Sequence, residues 1–168
     1  SLTITGQGNP VLDGEKKYEI LLISGEDITI RGITFIRSGY SAMNDYASIK
    51  LVDSRRVLIE RNTILDAYFA IHIANSSNVV VRANEIAGKP LSEQLTGNGI
   101  HLWKSNQAII ENNHIQGHRD GIYFEFVTGS MIRDNRSEKN IRYGLHFMFS
   151  NDDSYLRNIF HDNGAGVA

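Results

Sequence analysis

Residues 99–115 read Gly-Ile-His-Leu-Trp-Lys-Ser-Asn-Gln-Ala-Ile-Ile-Glu-Asn-Asn-His-Ile, and this phrase sets the pattern of the chain. It opens on a small residue, continues as an alternating Ile-x-Leu piece, crosses a polar turn and reaches Asn113. The phrase occurs five times with fourteen positions from small residue to asparagine, beginning at Ser48, Ala70, Gly99, Gly121 and Gly144. A fainter copy, from Glu19 to Ile33, keeps the spacing without the asparagine. A fixed internal repeat decides the architecture before any single element does.

The repeat length indicates a parallel β-helix. Successive asparagines are 22, 29, 22 and 23 residues apart, and each unit holds three short alternating apolar pieces separated by Asn, Asp, Ser or Gly turns. Alternation of this kind is β periodicity, and no segment sustains the 3.6-residue period of a helix. Leucine-rich repeats share the length but need a leucine-dense consensus and a helix. The sequence therefore predicts an all-β, right-handed, single-stranded parallel β-helix with coils of about 22 residues and three short strands per coil.

Two repeats carry about seven extra residues, near 40–47 and near 87–98. Both insertions fall between the asparagine and the next small residue. We therefore expect them to project from one corner of the solenoid, one above the other, with one coil between them. Loops gathered on one side of a rigid scaffold are a usual place for a binding surface.

Stacking assigns roles to the repeated positions. Inward side chains should bury against the coils above and below, each contributing roughly 1.5–3 kcal/mol; they are Ile100, Leu102, Ile122, Phe124, Leu145 and Phe147. The repeated asparagines should form a structural ladder of amide hydrogen bonds at one turn; they are Asn62, Asn84, Asn113, Asn135 and Asn158.

The position between the two inward residues points outward and carries the candidate chemistry. Down the stack this column reads Leu21, Lys50, His72, His101, Tyr123 and His146. Adjacent coils are about 4.8 Å apart, so His72 and His101 are close enough to share a metal ion. Met148, two residues beyond His146, adds a soft sulfur that suits Cu(I). The sequence predicts a metal site, most simply for copper, from His72, His101, His146 and Met148.

The same outward residues allow other interpretations. Exposed His, Tyr and Trp are ordinary on a sheet face, and with Glu125 they would form a protein-docking or sugar-stacking surface. A glycoside hydrolase needs paired carboxylates roughly 5–10 Å apart, for which Glu125 and Asp120 are the nearest candidates. The outward columns lack the convergent acidic and basic residues of a polysaccharide lyase or hydrolase. The sequence therefore favours a non-enzymatic role, with a carbohydrate-binding or polysaccharide-cleaving β-helix as the alternative.

Composition excludes several kinds of partner and several kinds of site. The formal net charge is −2, and no cysteine is present. We therefore expect no nucleic-acid partner, no disulfide and no thiolate metal site. No apolar run approaches the roughly 20 residues of a membrane span. The chain begins inside a strand-like segment, so residues 1–168 are interpreted as one domain cut from a longer protein at both ends. Open solenoid ends expose unpaired strands, and end-to-end association is expected.

Longer phrases resemble the NosD family across nearly the whole chain. They are Gly-Gln-Gly-Asn-Pro-Val-Leu-Asp-Gly at 6–14, Gly-Asn-Gly-Ile-His-Leu-Trp at 97–103, Gly-His-Arg-Asp-Gly-Ile-Tyr-Phe-Glu-Phe at 117–126, Arg-Tyr-Gly-Leu-His-Phe-Met-Phe-Ser at 142–150 and Asp-Asn-Gly-Ala-Gly-Val-Ala at 162–168. The resemblance implies a periplasmic β-helix that assists assembly of the copper centre of nitrous oxide reductase. Its implied partners are an ABC transporter, a copper-carrying lipoprotein and the reductase. The metal ligands named above come from the outward column and not from this resemblance.

Overall fold

The computed structural model describes all residues 1–168, and every regular element is a β-strand. The strands are β1 (Leu2–Thr5), β2 (Val11–Asp13), β3 (Leu21–Arg31), β4 (Thr34–Ile36), β5 (Ala47–Glu60), β6 (Thr63–Leu65), β7 (Phe69–Ala74), β8 (Ser77–Arg82), β9 (Glu85–Ala87), β10 (Ile100–Trp103), β11 (Ile109–Glu111), β12 (His114–Gln116), β13 (Ile122–Glu125), β14 (Met131–Arg133), β15 (Arg136–Glu138), β16 (Tyr143–Met148), β17 (Ser154–Leu156), β18 (Ile159–His161) and β19 (Ala165–Val167). No helix of membrane-crossing length and apolarity occurs.

The strands stack as three parallel walls. Wall 1 consists of the first halves of β3 and β5 followed by β7, β10, β13, β16 and β19. Wall 2 consists of β1, the second halves of β3 and β5, and then β8, β11, β14 and β17. Wall 3 consists of β2, β4, β6, β9, β12, β15 and β18. Walls 1 and 2 form one sheet because β3 and β5 run across the corner between them. The predicted parallel β-helix is confirmed.

The core lies inside the column of coils and follows the predicted alternation. Of the predicted inward residues, Phe147 is half-buried and the others are fully enclosed. Phe124 and Phe147 meet edge to face across adjacent coils, with ring centroids 5.8 Å apart. Close packing of this kind explains why apolar residues repeat at the coil period.

The asparagine ladder forms as predicted. In each step, the backbone N–H and the side-chain Nδ2 of one asparagine both donate to Oδ1 of the asparagine in the next coil, at 3.0–3.1 Å. Each Nδ2 also donates to a carbonyl of a neighbouring coil, for example Asn84 to Ile59 at 3.1 Å. The ladder therefore satisfies buried backbone groups that would otherwise lack partners at this turn.

Two further ladders were not predicted. At the corner between walls 1 and 2, the hydroxyl of Ser76 accepts from the N–H of Ser54, and the hydroxyl of Ser105 accepts from the N–H of Ser76. Near the corner between walls 3 and 1, Nδ2 and the N–H of Asn140 both donate to Oδ1 of Asn163. The spacings Ser76 to Ser105 (29 residues) and Asn140 to Asn163 (23 residues) match those of the main ladder and were the available signal.

Candidate functional site

The outward column of wall 1 is in register. Lys50 pairs with His72, His72 with His101, His101 with Tyr123, and Tyr123 with His146. Below Lys50 the residue is Leu22, not the predicted Leu21. The β3–β5 register shifts between Ile23 and Gly25, and this irregularity displaced the count by one residue.

The column is buried, which overturns the expectation of an exposed aromatic face. The exposed fractions of His72, His101, Tyr123 and His146 are 6–8 %. The ring of Phe69 packs against both His72 and His101, with centroid distances of 5.6 and 5.5 Å. Asn98, from the second insertion, lies with Nδ2 3.5 Å from Nδ1 of His101. Alternation within a strand predicted the outward direction, but it contained no information on which other segments fold over that face.

His72 and His101 form a close imidazole pair. Their ring centroids are 4.8 Å apart and their planes are inclined by 37°. Nδ1 of His72 and Nε2 of His101 are buried and have no hydrogen-bond partner. Nε2 of His101 lies 3.7 Å from Oε2 of Glu125, which is beyond hydrogen-bond distance. The pair lines a cleft of about 300 Å³ together with Asp45, Ala74, Trp103 and Glu125.

Burial sets the charge state of this pair. Desolvation lowers the pKa of His72 to about 4, against a smaller opposing effect of the nearby Asp45 carboxylate. Desolvation, aided by His72 and Arg119, also holds the pKa of His101 well below its usual range. Both imidazoles are therefore neutral at pH 7, the form in which histidine binds metals.

His146 and Met148 belong to a separate part of the column. Tyr123 lies between His101 and His146, with ring centroids 4.7 Å from each. His101 and His146 are thus two coils apart, roughly 10 Å. Nδ1 of His146 is 3.3 Å from Oδ2 of Asp120, and the hydroxyl of Tyr123 donates to the sulfur of Met148 at 3.4 Å. The four predicted ligands therefore do not converge: His72 and His101 are in contact, whereas His146 lies against Asp120 and Met148 against Tyr123.

The structure does not enclose a metal ion on several sides. No group of three or more His, Cys, Asp or Glu side chains has the arrangement of a closed metal site. The imidazole pair nevertheless leaves two buried ring nitrogens without a hydrogen-bond partner. Asn98, Asp45 and Phe69 were missed as site residues, because two of them lie in insertions where the repeat cannot assign positions and the third lies at the edge of its strand.

Asp120 is a buried carboxylate that lies between two arginines. It is fully enclosed, and its carboxylate oxygens lie 3.6 Å from Nε of Arg142 and 3.9 Å from Nε of Arg119. The backbone N–H of Tyr143 donates to the same carboxylate at 3.2 Å. Glu125 instead lines the open cleft. The two carboxylates that were the nearest candidates for an acid–base pair therefore differ in environment, since Asp120 is enclosed and Glu125 is partly exposed.

Comparison with known proteins agrees with this architecture. Residues 11–168 match the family model of the right handed beta helix region, which confirms the predicted handedness. The chain is 33 % identical over 114 residues to "Probable ABC transporter binding protein NosD" of Stutzerimonas stutzeri, covering 66 % of this chain and 26 % of that protein. This confirms the resemblance to NosD found in the sequence. The chain spans about a quarter of the length of that relative.

Solved structures share the fold. The surface adhesin PfbA of Streptococcus pneumoniae superposes with a TM-score of 0.66 at 18 % identity, covering 88 % of this chain and 42 % of the adhesin. DFA-IIIase from Arthrobacter chlorophenolicus A6 gives 0.59 at 15 % identity, covering 80 % and 31 %. Alginate lyase from Paenibacillus sp. str. FPU-7 gives 0.58 at 16 % identity, covering 95 % and 76 %.

Proposed function

The chain belongs to the right-handed β-helix family, and from this premise we propose that it is an accessory protein of copper-enzyme maturation that carries copper transiently. The proposal depends on one observation, the buried pair of imidazoles at His72 and His101 with two unpartnered nitrogens beside a cleft. Copper is the cargo in this role, and the β-helix is the rigid scaffold that presents it.

The donor set fits a cargo ion. Imidazole is a good ligand for copper, and a metal–nitrogen bond is about 2 Å, so two rings on adjacent coils are able to hold one ion between them. Two ligands without a closed shell hold an ion less firmly than a structural site would, which suits transfer. His146 and Met148, two residues apart on β16, are the remaining predicted ligands on the same wall, and imidazole with thioether suits Cu(I).

The partners of this role follow from the relative. That relative is described as a probable ABC transporter binding protein, and we extend that association to this chain. The resemblance to NosD further suggests a periplasmic location, a copper-carrying lipoprotein as donor and nitrous oxide reductase as recipient. These partners and this location are part of the proposal.

Competition for Cu(I) against a colorimetric chelator tests the copper role. We expect His72→Ala and His101→Ala to lose most of the competition, and Asn98→Ala to weaken it about 10- to 100-fold as a positioning residue. His114→Ala is the matched control, because that imidazole lies on wall 3. Unfolding midpoints of all variants must stay close to that of the parent protein. Unchanged competition in folded His72→Ala and His101→Ala variants would refute the ligand assignment.

A carbohydrate role is the second candidate, and one observation favours it. Trp103, Glu125 and His101 line the same cleft, so a ring for sugar stacking lies beside an imidazole and a carboxylate 3.7 Å apart. Release of unsaturated uronides from acidic glycans is the measurement. Product that disappears in Glu125→Gln and His101→Ala, without competition for copper, would replace the first function by this one.

A further inference from the structure

A second cleft lies at the corner where the two insertions meet. It has a volume of about 290 Å³. Its floor is the short connection 66–68 of the coil between the insertions, and its sides come from the segments 38–40 and 89–96. It is lined by Lys16, Ser38, Tyr40, Asp66, Ala67, Tyr68, Lys89, Leu91, Leu95 and Thr96. The cleft is thus formed largely by the inserted residues and is not a feature of the regular coils.

The second insertion is held in place by specific contacts. A Cβ on Gly97 would lie 2.5 Å from the carbonyl oxygen of Tyr68 and 2.8 Å from the ring of Phe69. The backbone of the second insertion therefore packs so tightly against residues 68–69 that no side chain fits at position 97. The N–H of Leu91 donates to Oγ1 of Thr96 at 3.1 Å. Nη1 of Arg142 donates to Oε1 of Glu93 at 3.2 Å. The cleft is therefore largely preformed, as binding sites usually are.

The first insertion is also fixed at its base. Ser38 is buried, and its hydroxyl accepts from the N–H of Tyr68 at 2.8 Å. A Cβ on Gly39 would lie 2.6 Å from the carbonyl carbon of Lys17, so this loop too passes against its neighbour without room for a side chain.

Several apolar side chains of the cleft lining are exposed to solvent and are not part of the core. Leu91 is 78 % exposed, Leu95 48 % and Tyr40 47 %. The ring of Tyr40 meets that of Tyr68 edge to face with centroids 4.8 Å apart. An exposed cluster of leucine and tyrosine in a preformed concavity is typical of a site for an apolar side chain.

The rim adds a specific charge. Nζ of Lys16 and Nζ of Lys89 lie 3.2 and 3.6 Å from the same oxygen of Asp66. Two cations share one carboxylate, so the rim carries an excess positive charge. Both lysines are well exposed, and an incoming carboxylate can approach them without desolvating a buried group.

From this geometry we propose that the cleft docks a short segment of a partner protein that carries an apolar side chain next to a carboxylate. A peptide fits better than a sugar because Leu91, Leu95 and Tyr40 supply most of the exposed lining, and an aliphatic side chain packs on these apolar groups without losing hydrogen bonds. The inference is independent of copper binding.

The location adds a consequence. Tyr68 contacts Phe69 with ring centroids 4.8 Å apart, and Phe69 packs on both His72 and His101. A segment docked in the cleft is thus one aromatic ring away from the imidazole pair.

The test uses the full 168-residue chain, fluorescently labelled at its N-terminus, on immobilised capped pentapeptides. Three matched arrays carry two apolar residues on either side of a central glutamate, glutamine or lysine. We expect retention in the order glutamate, glutamine, lysine, with a glutamate-to-glutamine preference of about two- to fivefold that falls with salt, the range that one exposed ion pair supplies.

Variants separate the two parts of the site. Lys89→Glu should reverse the charge preference, and Leu91→Ser should weaken binding to all three arrays. Lys104→Glu and Phe149→Ser alter an exposed lysine and an exposed phenylalanine that do not line the cleft, and both variants should bind the three arrays as the parent protein does. Equal retention of the three arrays, or loss of the preference in Lys104→Glu, would overturn the proposal. Binding of oligouronates in a parallel arm without binding of any peptide would overturn it in favour of a sugar.

Discussion

Asn84 is joined to Asn113 in the next coil by two hydrogen bonds to a single oxygen: the backbone N–H and Nδ2 of Asn84 both donate to Oδ1 of Asn113, at 3.0 Å each. Because Asn84 repeats the same arrangement toward Asn62, one side chain serves the turns of two coils. The ladder is thus a chain of mutually dependent bonds rather than a set of separate caps.

Asn84→Ala should therefore lower the free energy of unfolding by roughly 2 kcal/mol or more, because the buried N–H of Asn62 loses its acceptor. Urea unfolding followed by circular dichroism measures the change. Asn106→Ala is the control: that side chain is exposed and makes no hydrogen bond, so the change should stay within about 0.5 kcal/mol. Equal effects of the two substitutions would contradict a structural role for the ladder.

The stability of the fold should fall as the pH drops from about 6.5 to about 4. His118 is completely buried, and desolvation lowers its pKa to about 4 from the ordinary 6.5. Between these values the unfolded chain binds a proton that the folded chain does not, so protonation favours unfolding. Below the folded pKa the loss from this residue is complete.

His118→Asn keeps a donor near the carbonyl of Gly97, which Nδ1 of His118 contacts at 3.2 Å, but cannot titrate. In this variant, we expect the free energy of unfolding to fall by roughly 2–3 kcal/mol less than in the parent protein between pH 6.5 and 4. Parallel unfolding curves at pH 7, 5.5 and 4 for parent and variant make the comparison. Identical slopes would show that His118 is not protonation-linked to folding.

A second titration should appear at lower pH. Hydrogen bonds from Arg136 and His114 lower the pKa of Glu138 to about 2, and His161 also contacts its carboxylate. A depressed carboxyl pKa stabilises the fold above the unfolded value near 4.5, and this contribution is lost as the pH falls toward about 2. Glu138→Gln should lower the free energy of unfolding at pH 7. It should also abolish the fall in that free energy between about pH 4.5 and 2, while the pH dependence above 4.5 stays as in the parent protein.

The residue before each ladder asparagine adopts a left-handed backbone conformation. Alanine disfavours this conformation, so Ala83 lowers the stability of the fold. Ala83 is exposed with φ 54°, and the corresponding residue of the next coil is Asn112, with the same φ. Asparagine tolerates this region better than alanine does. Ala83→Asn should stabilise the protein by about 0.5–1 kcal/mol, and Asn112→Ala should destabilise it by a similar amount. Changes of the same sign in both variants would argue against this explanation.

The parts of the fold that were predictable are those that repeat. Ile100 and Leu102 on either side of His101 identified the inward face, and the fixed distance to Asn113 identified the turn. The serine and second asparagine ladders have the same spacing, but serine and asparagine are common in turns, so only the hydrogen bonds distinguish them from ordinary turn residues. The error at Leu21 arose where a strand irregularity broke the count.

The sequence by itself determined the number of residues per coil, the inward face and the vertical register of His72, His101 and His146. These follow from local alternation and turn chemistry, which act within a few residues of each position. The tertiary structure alone decided that this face is covered, that burial lowers the pKa of the two imidazoles, and that the two insertions line a cleft. Those properties depend on Phe69, Asn98 and the inserted loops, which pack across several coils. Burial by segments that are distant in sequence does not appear in the repeat pattern, so the pattern cannot predict the desolvation that it causes.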